Sequence, residues 1–185
     1  MKVSNEMKRV VSVLRIGHRL VRDDRITTHA ALVSRAFGSD RIYMTEVDDS
    51  IKETIREVSK RWGGLTDFKI EIIKNSKALI QKWKNDGGKV IHLTMYGINV
   101  DDMIYNIQKQ DSDILIIIGA EKVPKEIYEL ADYNIAIGHQ PHSEIAALAI
   151  FLDRLFKGKQ LKKYFTGAQF KIVPMTRGKK VIEIE

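Results

Sequence analysis

Ile114, Leu115, Ile116, Ile117 and Ile118 follow one another without a polar interruption, between Asp113 and Gly119. A strand that is apolar at every position offers no face to water, so it must be covered on both sides, as a central strand of a parallel sheet is. The rest of the chain supplies the cover by alternating strand and helix patterns. Strands are expected over residues 10–16, 41–45, 68–73, 90–94, 114–118 and 135–137. Helices are expected from Thr27 or Thr28 to Phe37, and over 48–62, 75–84, 99–108, 124–131 and 143–156. Their stops are glycines, at Gly38, Gly63-Gly64 and near Gly158, and their starts carry Asp48 or Asp49, Asn99, Pro124 and Ser143. This order builds an α/β domain with a mostly parallel sheet and helices on both faces. Residues 159–185 form a basic tail with two short strands, 170–174 and 181–185, around Arg177-Gly178. The expected organisation is one domain over 1–158 with the tail packed on it.

With 185 residues the chain can bury a full core without metal or disulfide support. It has no cysteine, which excludes disulfide scaffolds, thiolate metal sites and cysteine nucleophiles and suits a reducing cytoplasm, its expected location. No apolar run approaches the ~20 residues of a membrane helix, so no membrane partner is expected. Residues 1–9 carry no signal-peptide core, and Met7 is an alternative start. The net charge of +7 is unevenly spread. Residues 1–41 hold 9 Lys/Arg against 4 Asp/Glu, 42–150 hold 13 against 17, and 151–185 hold 9 against 3. Basic ends around a mildly acidic middle point to a phosphate-bearing partner, most simply a nucleic acid. A generically basic protein is the alternative.

Ligands of open α/β sheets bind outside the carboxyl ends of the strands. Three late strands end in Leu93-Thr94-Met95-Tyr96-Gly97, in Gly119-Ala120-Glu121-Lys122-Val123-Pro124, and in Gly138-His139-Gln140-Pro141-His142-Ser143-Glu144. A glycine either makes a turn or lets the backbone approach a ligand, and three together favour a pocket. No G-x-G-x-x-G follows the first strand, and Walker A and G-x-S-x-G motifs are missing, which disfavours dehydrogenases, P-loop NTPases and α/β-hydrolases. His139 and His142 make a poor metal pair without cysteines, and no metal site is expected. Ser143 instead caps the following helix, with Glu144 at its positive end and free N–H groups that could face a ligand. Arg15, Arg19, Arg22 and Arg25 crowd 11 residues, either as a solvated loop paired with Asp23 and Asp24 or as a phosphate-contacting arm. Arg35 is a surface arginine of an amphipathic helix or one positioned near the ligand. Residues 145–152 are apolar on every helical face. Burial by a second copy of the chain is favoured over insertion between sheet and tail.

Taken together and in order, these segments resemble the archaeal tRNA (cytidine-56)-2′-O-methyltransferases of the SPOUT superfamily. The likeness rests on Leu14-Arg15-Ile16-Gly17-His18-Arg19, on Arg25-Ile26-Thr27-Thr28-His29-Ala30-Ala31-Leu32 with Arg35-Ala36-Phe37-Gly38, and on the three glycine loops, and it runs from about Val10 to the C-terminus. It implies an α/β fold with a deep trefoil knot in the C-terminal half, a homodimer, and S-adenosyl-L-methionine as methyl donor. The donor would be held at Leu93, Gly119, Ala120, Glu121, Lys122, Val123, Ile137, Gly138, His139, Gln140, Pro141, His142, Ser143 and Glu144. His139 stands where the family has Asn, and both side chains can donate and accept hydrogen bonds. The product would be a 2′-O-methylated cytidine in the T-loop of tRNA, with the basic ends gripping the tRNA backbone. Related enzymes use an arginine of the first motif, for which Arg35 and Arg25 are the candidates. Being always protonated, such an arginine suits a phosphate anchor that also stabilises a developing alkoxide. Ser143 falls where the third motif has a serine. The rival expectations are a SPOUT enzyme for another RNA nucleotide, an RNA-binding module without catalysis, and a flavodoxin-like nucleotide-binding enzyme.

Overall fold

Strand β1 (Val11–Ile16) opens a computed structural model that describes residues 9–17 and 24–184. There follow α1 (Asp24–Ala36), β2 (Arg41–Met44), α2 (Ser50–Trp62), β3 (Lys69–Ile72), α3 (Ser76–Asn85), β4 (Lys89–Asn99) and α4 (Val100–Gln108). The second half holds β5 (Ile114–Gly119), α5 (Lys125–Leu130), β6 (Tyr133–Ala136), α6 (Glu144–Phe156), a 3-10 turn over Lys159–Lys162, and the strands β7 (Phe170–Val173) and β8 (Lys180–Glu183). The first six strands form one sheet in the order β3-β2-β1-β5-β4-β6, with every neighbouring pair parallel. β7 and β8 pair antiparallel as a separate hairpin.

The apolar run of β5 lies between β1 and β4, with all five residues buried. Its side chains alternate between two cores, as a period of two requires. Ile114, Ile116 and Ile118 join Leu148, Phe151 and Leu152 of α6 and Ala30 and Ala31 of α1. Leu115 and Ile117 join Ile80 of α3 and Ile127 of α5. The expected parallel sheet with helices on both faces is therefore the fold.

Several boundaries differ from expectation. α1 starts at Asp24, before Thr27, because its first turn holds exposed residues, Arg25 and Ile26, that carry no periodic signal. β4 continues past Thr94 to Asn99, with its register against β6 shifted between Leu93 and Ile98. Gly97 makes that passage possible: a Cβ there would lie 2.4 Å from the backbone of Asn134. α6 is not covered on every side. Ala147, Leu148, Phe151, Leu152 and Leu155 are buried while Ala146 and Ile150 are exposed, so insertion between sheet and tail does not occur. The tail rests on α2 and α6 instead: Gln160 is buried and donates to Asp153 at 2.7 Å, and Gly64 N–H donates to the Thr166 carbonyl at 2.8 Å.

Candidate functional site

A cleft of about 200 Å³ opens between the register shift of β4 and the end of β6. Its walls are Leu93, Thr94 and Met95 of β4, then Ile137, Gln140, Pro141 and His142 of the loop after β6, then Ser143, Glu144 and Ala147 at the start of α6. The loop is held by its own side chains. His142 sets Nε2 at 2.8 Å from the Ile137 carbonyl and Nδ1 at 3.0 Å from that of Ser143. His139 sets Nε2 at 3.1 Å from the Gly97 carbonyl, which ties the loop to the displaced part of β4. Both imidazoles are thus occupied by backbone, and they fasten a turn. Among the described residues no group of three or more His, Cys, Asp or Glu is placed to hold a metal. Ser143 caps α6, its Oγ accepting from Ile145 N–H at 3.1 Å, as its position before the apolar run suggested. Gly138 has φ of +70°, and a Cβ there would meet nothing within 4 Å, so its backbone is open to a ligand. Apolar walls at Leu93, Ile137 and Ala147, an open glycine backbone and a few polar groups at a helix N-terminus suit a part-apolar, part-charged small molecule.

The second glycine loop is placed differently. Gly119, Ala120, Glu121, Lys122 and Val123 are not in the cleft walls. Ala120 N–H donates to the Ile16 carbonyl at 2.9 Å, and a Cβ on Gly119 would strike Val123 at 2.2 Å. The loop therefore folds against the end of β1, beside Gly17.

The arginines separate sharply. Arg15, which belongs to β1, is only 1% exposed. It donates to Thr27 Oγ1 at 2.8 Å, to the Gly17 carbonyl at 3.3 Å and to Glu144 Oε1 at 3.4 Å. Glu144 stands in the cleft wall, so a buried guanidinium fixes a carboxylate that faces the cleft, and the N-terminus of α6 favours the same charge. The signal for Arg15 was present in the sequence: with Val11 and Val13 it lies on one face of a buried strand, where a charge needs a partner. Arg25 is exposed on the first turn of α1. Arg35 is not brought to the cleft. It sits on the last turn of α1, donates to the Gly63 carbonyl and lies 4.5 Å from the centre of the Phe165 ring. Burial lowers its pKa, with Asp67 opposing. Arg19 and Arg22 lie outside the described residues, as do most of residues 1–9.

Just before Leu93, His92 is buried, with Nδ1 at 3.0 Å from Asn134 Oδ1, while Asn134 Nδ2 donates to the Tyr128 carbonyl at 2.8 Å. Its ring meets Tyr128 edge-on at 4.5 Å. Burial lowers its pKa and so favours the neutral ring, against the Asn134 hydrogen bond. This network joins β4 to β6 beside the cleft and was not singled out from the sequence.

The family described as tRNA ribose 2′-O-methyltransferase, aTrm56, matches residues 62–182. A tRNA (cytidine(56)-2′-O)-methyltransferase of Thermococcus kodakarensis is 54% identical over 183 residues, which cover 97% of this chain and all of that one. Among solved structures, a TrmH/SpoU tRNA modifying enzyme of A. aeolicus shares the fold with a TM-score of 0.57, at 16% identity over 87% of this chain and 83% of its own. The SpoU methyltransferase AviRb of Streptomyces viridochromogenes, solved in complex with AdoMet, superposes with a TM-score of 0.58 at 13% identity over 82% of this chain and 58% of its own. The family match and 54% identity over nearly the whole chain agree: the chain belongs to the tRNA ribose 2′-O-methyltransferase family.

Proposed function

We propose that the protein transfers the methyl group of S-adenosyl-L-methionine to the ribose 2′-oxygen of cytidine 56 in the T-loop of tRNA, the activity its relatives are named for. The observation that carries the reading is the cleft between the middle of β4 and the loop after β6, where apolar walls meet Glu144, whose carboxylate is backed by a buried arginine. The donor supplies a methyl group already activated on a sulfonium. The protein's task is to hold a ribose hydroxyl in line with it and to stabilise the charge that develops on the oxygen. Leu93, Ile137 and Ala147 keep water from the reacting groups. Glu144 keeps carboxylate lone pairs for a hydrogen bond from the substrate while Arg15 holds its Oε1 in place. Ser143 Oγ accepts from Ile145 N–H, and its own proton remains available to donate. Arg15 is thereby a positioning residue, and the exposed Arg25, on the first turn of α1, is the phosphate anchor. Arg35 secures the tail.

The passage of β4 across β6 at Gly97 is where we place the trefoil knot of the superfamily. The uncovered side of α6, with Ala146 and Ile150, is read as a homodimer face. No helix among the described residues is long and apolar enough to cross a membrane. The enzyme is placed with its tRNA substrate in the cytoplasm.

The test is methyl transfer from labelled S-adenosyl-L-methionine to an unmodified tRNA transcript, with a second transcript altered only at nucleotide 56. Label at cytidine 56, lost in the altered transcript, is the expected result. Label at another nucleotide removes the assigned target. No label, together with no donor binding by calorimetry, overturns the enzymatic reading.

A further inference from the structure

The cleft uses the end of the sheet where strands finish, and the tail occupies the other end. α1 closes there, with Asp40 N–H donating to the Val11 carbonyl at 2.8 Å where β1 begins. α2 closes there too, its Trp62 and Gly63 carbonyls accepting from Arg35. The tail is fastened to that corner. Gln169 N–H donates to the Arg61 carbonyl at 3.0 Å, and the Phe170 ring lies 6.1 Å from that of Trp62. At ~3.3 Å per residue, a strand the length of β1 separates hairpin from cleft by about 20 Å.

The hairpin is charged in a way the body of the protein is not. Residues 157–185 hold 8 Lys/Arg against two acids, Glu183 and Glu185, and four of those cations, Lys171, Arg177, Lys179 and Lys180, belong to the hairpin. In the body several lysines pair with acids, as Lys52 does with Asp49, Lys77 with Glu126 and Lys125 with Glu129. Lys171, Arg177, Lys179 and Lys180 are exposed, and among the described residues none of them forms an ion pair. Side chains alternate along a strand. Phe170 turns toward α2, so Lys171 points away from it, and the pairing of Val173 with Lys180 puts Lys180 on that same outer face. Arg177 and Lys179 sit in the turn between the strands. A two-stranded hairpin is marginal alone, and mutual repulsion of four cations weakens it further. A polyanion laid along this face removes that repulsion.

We infer that the β7–β8 hairpin is a second docking surface for tRNA, binding backbone phosphates about 20 Å or more from the ribose in the cleft. The inference rests on the tRNA methyltransferase reading for the identity of the polyanion. Its outer face sets Lys171 and Lys180 beside Val173 and Ile182, and such a face contributes affinity and orientation without reading base sequence.

The test uses the full chain with Lys171→Gln, Arg177→Gln, Lys179→Gln and Lys180→Gln combined. A control of equal kind removes two body charges, Lys74→Gln with Lys109→Gln. Binding of unmodified tRNA is measured across a salt series, donor binding by calorimetry, and methyl transfer at saturating tRNA. Each lost phosphate contact flattens the slope of log affinity against log salt by up to about 0.9, so the fourfold variant should flatten by about 3 and bind tRNA at least about tenfold more weakly. Donor affinity and the rate at saturating tRNA should stay within about twofold of wild type, a fraction of the factor of ten that 1.4 kcal/mol represents. Wild-type affinity and slope in the fourfold variant overturn the inference, as does an equal flattening per charge in the body control. Absence of methyl transfer by the wild type instead overturns the functional reading, so the two failures are distinct.

Discussion

Arg15 holds Glu144 Oε1 at 3.4 Å in the wall of the cleft, the contact on which its proposed positioning role rests. Removing one partner of a buried pair costs about 3–5 kcal/mol when the survivor is sealed in. Glu144 keeps 20% side-chain exposure, so Arg15→Met should fall below that range. Its larger effect should be catalytic, a fall in kcat of about a hundredfold, comparable to losing one preorganised donor. Arg15→Lys keeps the charge without the planar fork and should recover part of the rate. Joining Arg15→Met to Glu144→Gln should restore melting temperature but not turnover, which separates positioning from mere stability. A double variant that regained activity would remove Arg15 and Glu144 from the mechanism. This pair was only half legible. An arginine on the inner face of a buried strand announces a need for an anion, yet nothing in the order of residues says that the anion lies 129 positions later on α6.

His92 makes a second prediction at this scale. Its folded pKa is lowered, mainly by burial, below the ordinary value near 6.5. As pH falls through about 6.5, the unfolded chain binds a proton that the folded chain refuses. Stability contributed by the neutral ring is therefore fully present above that pH and is lost below it. Melting curves between pH 8 and about 5 should show this decline, and His92→Gln should flatten it. An identical slope in both proteins would assign the acid sensitivity to other groups.

At the level of elements, legibility followed periodicity. β5 and α6 stand out because every residue of one and a full turn pattern of the other are apolar, and Ser143 before α6 is a cap with a local mechanism. The displaced end of β4 has no period to read, since its path is dictated by Asn134 and Ile135 on β6 and not by its neighbours in sequence. Three substitutions test these elements. Ser143→Ala removes the Ile145 cap, costs about 1 kcal/mol, and should lower the melting temperature by about 2–4 °C. Ser143→Gly should recover most of that loss, whereas a rate that stays low in both variants marks the hydroxyl as a donor to substrate. Gly97→Ala forces a methyl group to within 2.4 Å of the Asn134 backbone, where nothing flexible can yield. Loss of more than about 4 kcal/mol is expected, the range reserved for such conflicts. Near-wild-type stability of that variant would show that Gly97 is not held this close to the Asn134 backbone.

For the molecule as a whole, the open question is what covers α6. Gln108 of α4 donates to the Arg154 carbonyl of α6 at 2.7 Å, so the two helices lie side by side. On them Tyr105 is 61% and Ile150 42% exposed, with Ala146 also in the open. Apolar groups grouped on adjacent helices mark an association surface, and a stable one needs about 800 Å² per partner. The homodimer proposed above would meet that need with the same face on both sides. The small Ala146 lets helices approach closely there. Light scattering should give twice the mass of the chain, and Ile150→Glu, which places a charge in the middle of the contact, should give the monomer with unchanged circular dichroism. Because α6 also carries Ser143, Glu144 and Ala147 into the cleft, loosening its outer side should disturb the site as well. The monomer is expected to lose at least about tenfold in kcat/KM for tRNA, a penalty of about 1.4 kcal/mol. A variant that remains dimeric moves the contact off α6, and a monomeric variant with full activity shows that each cleft is complete within one chain.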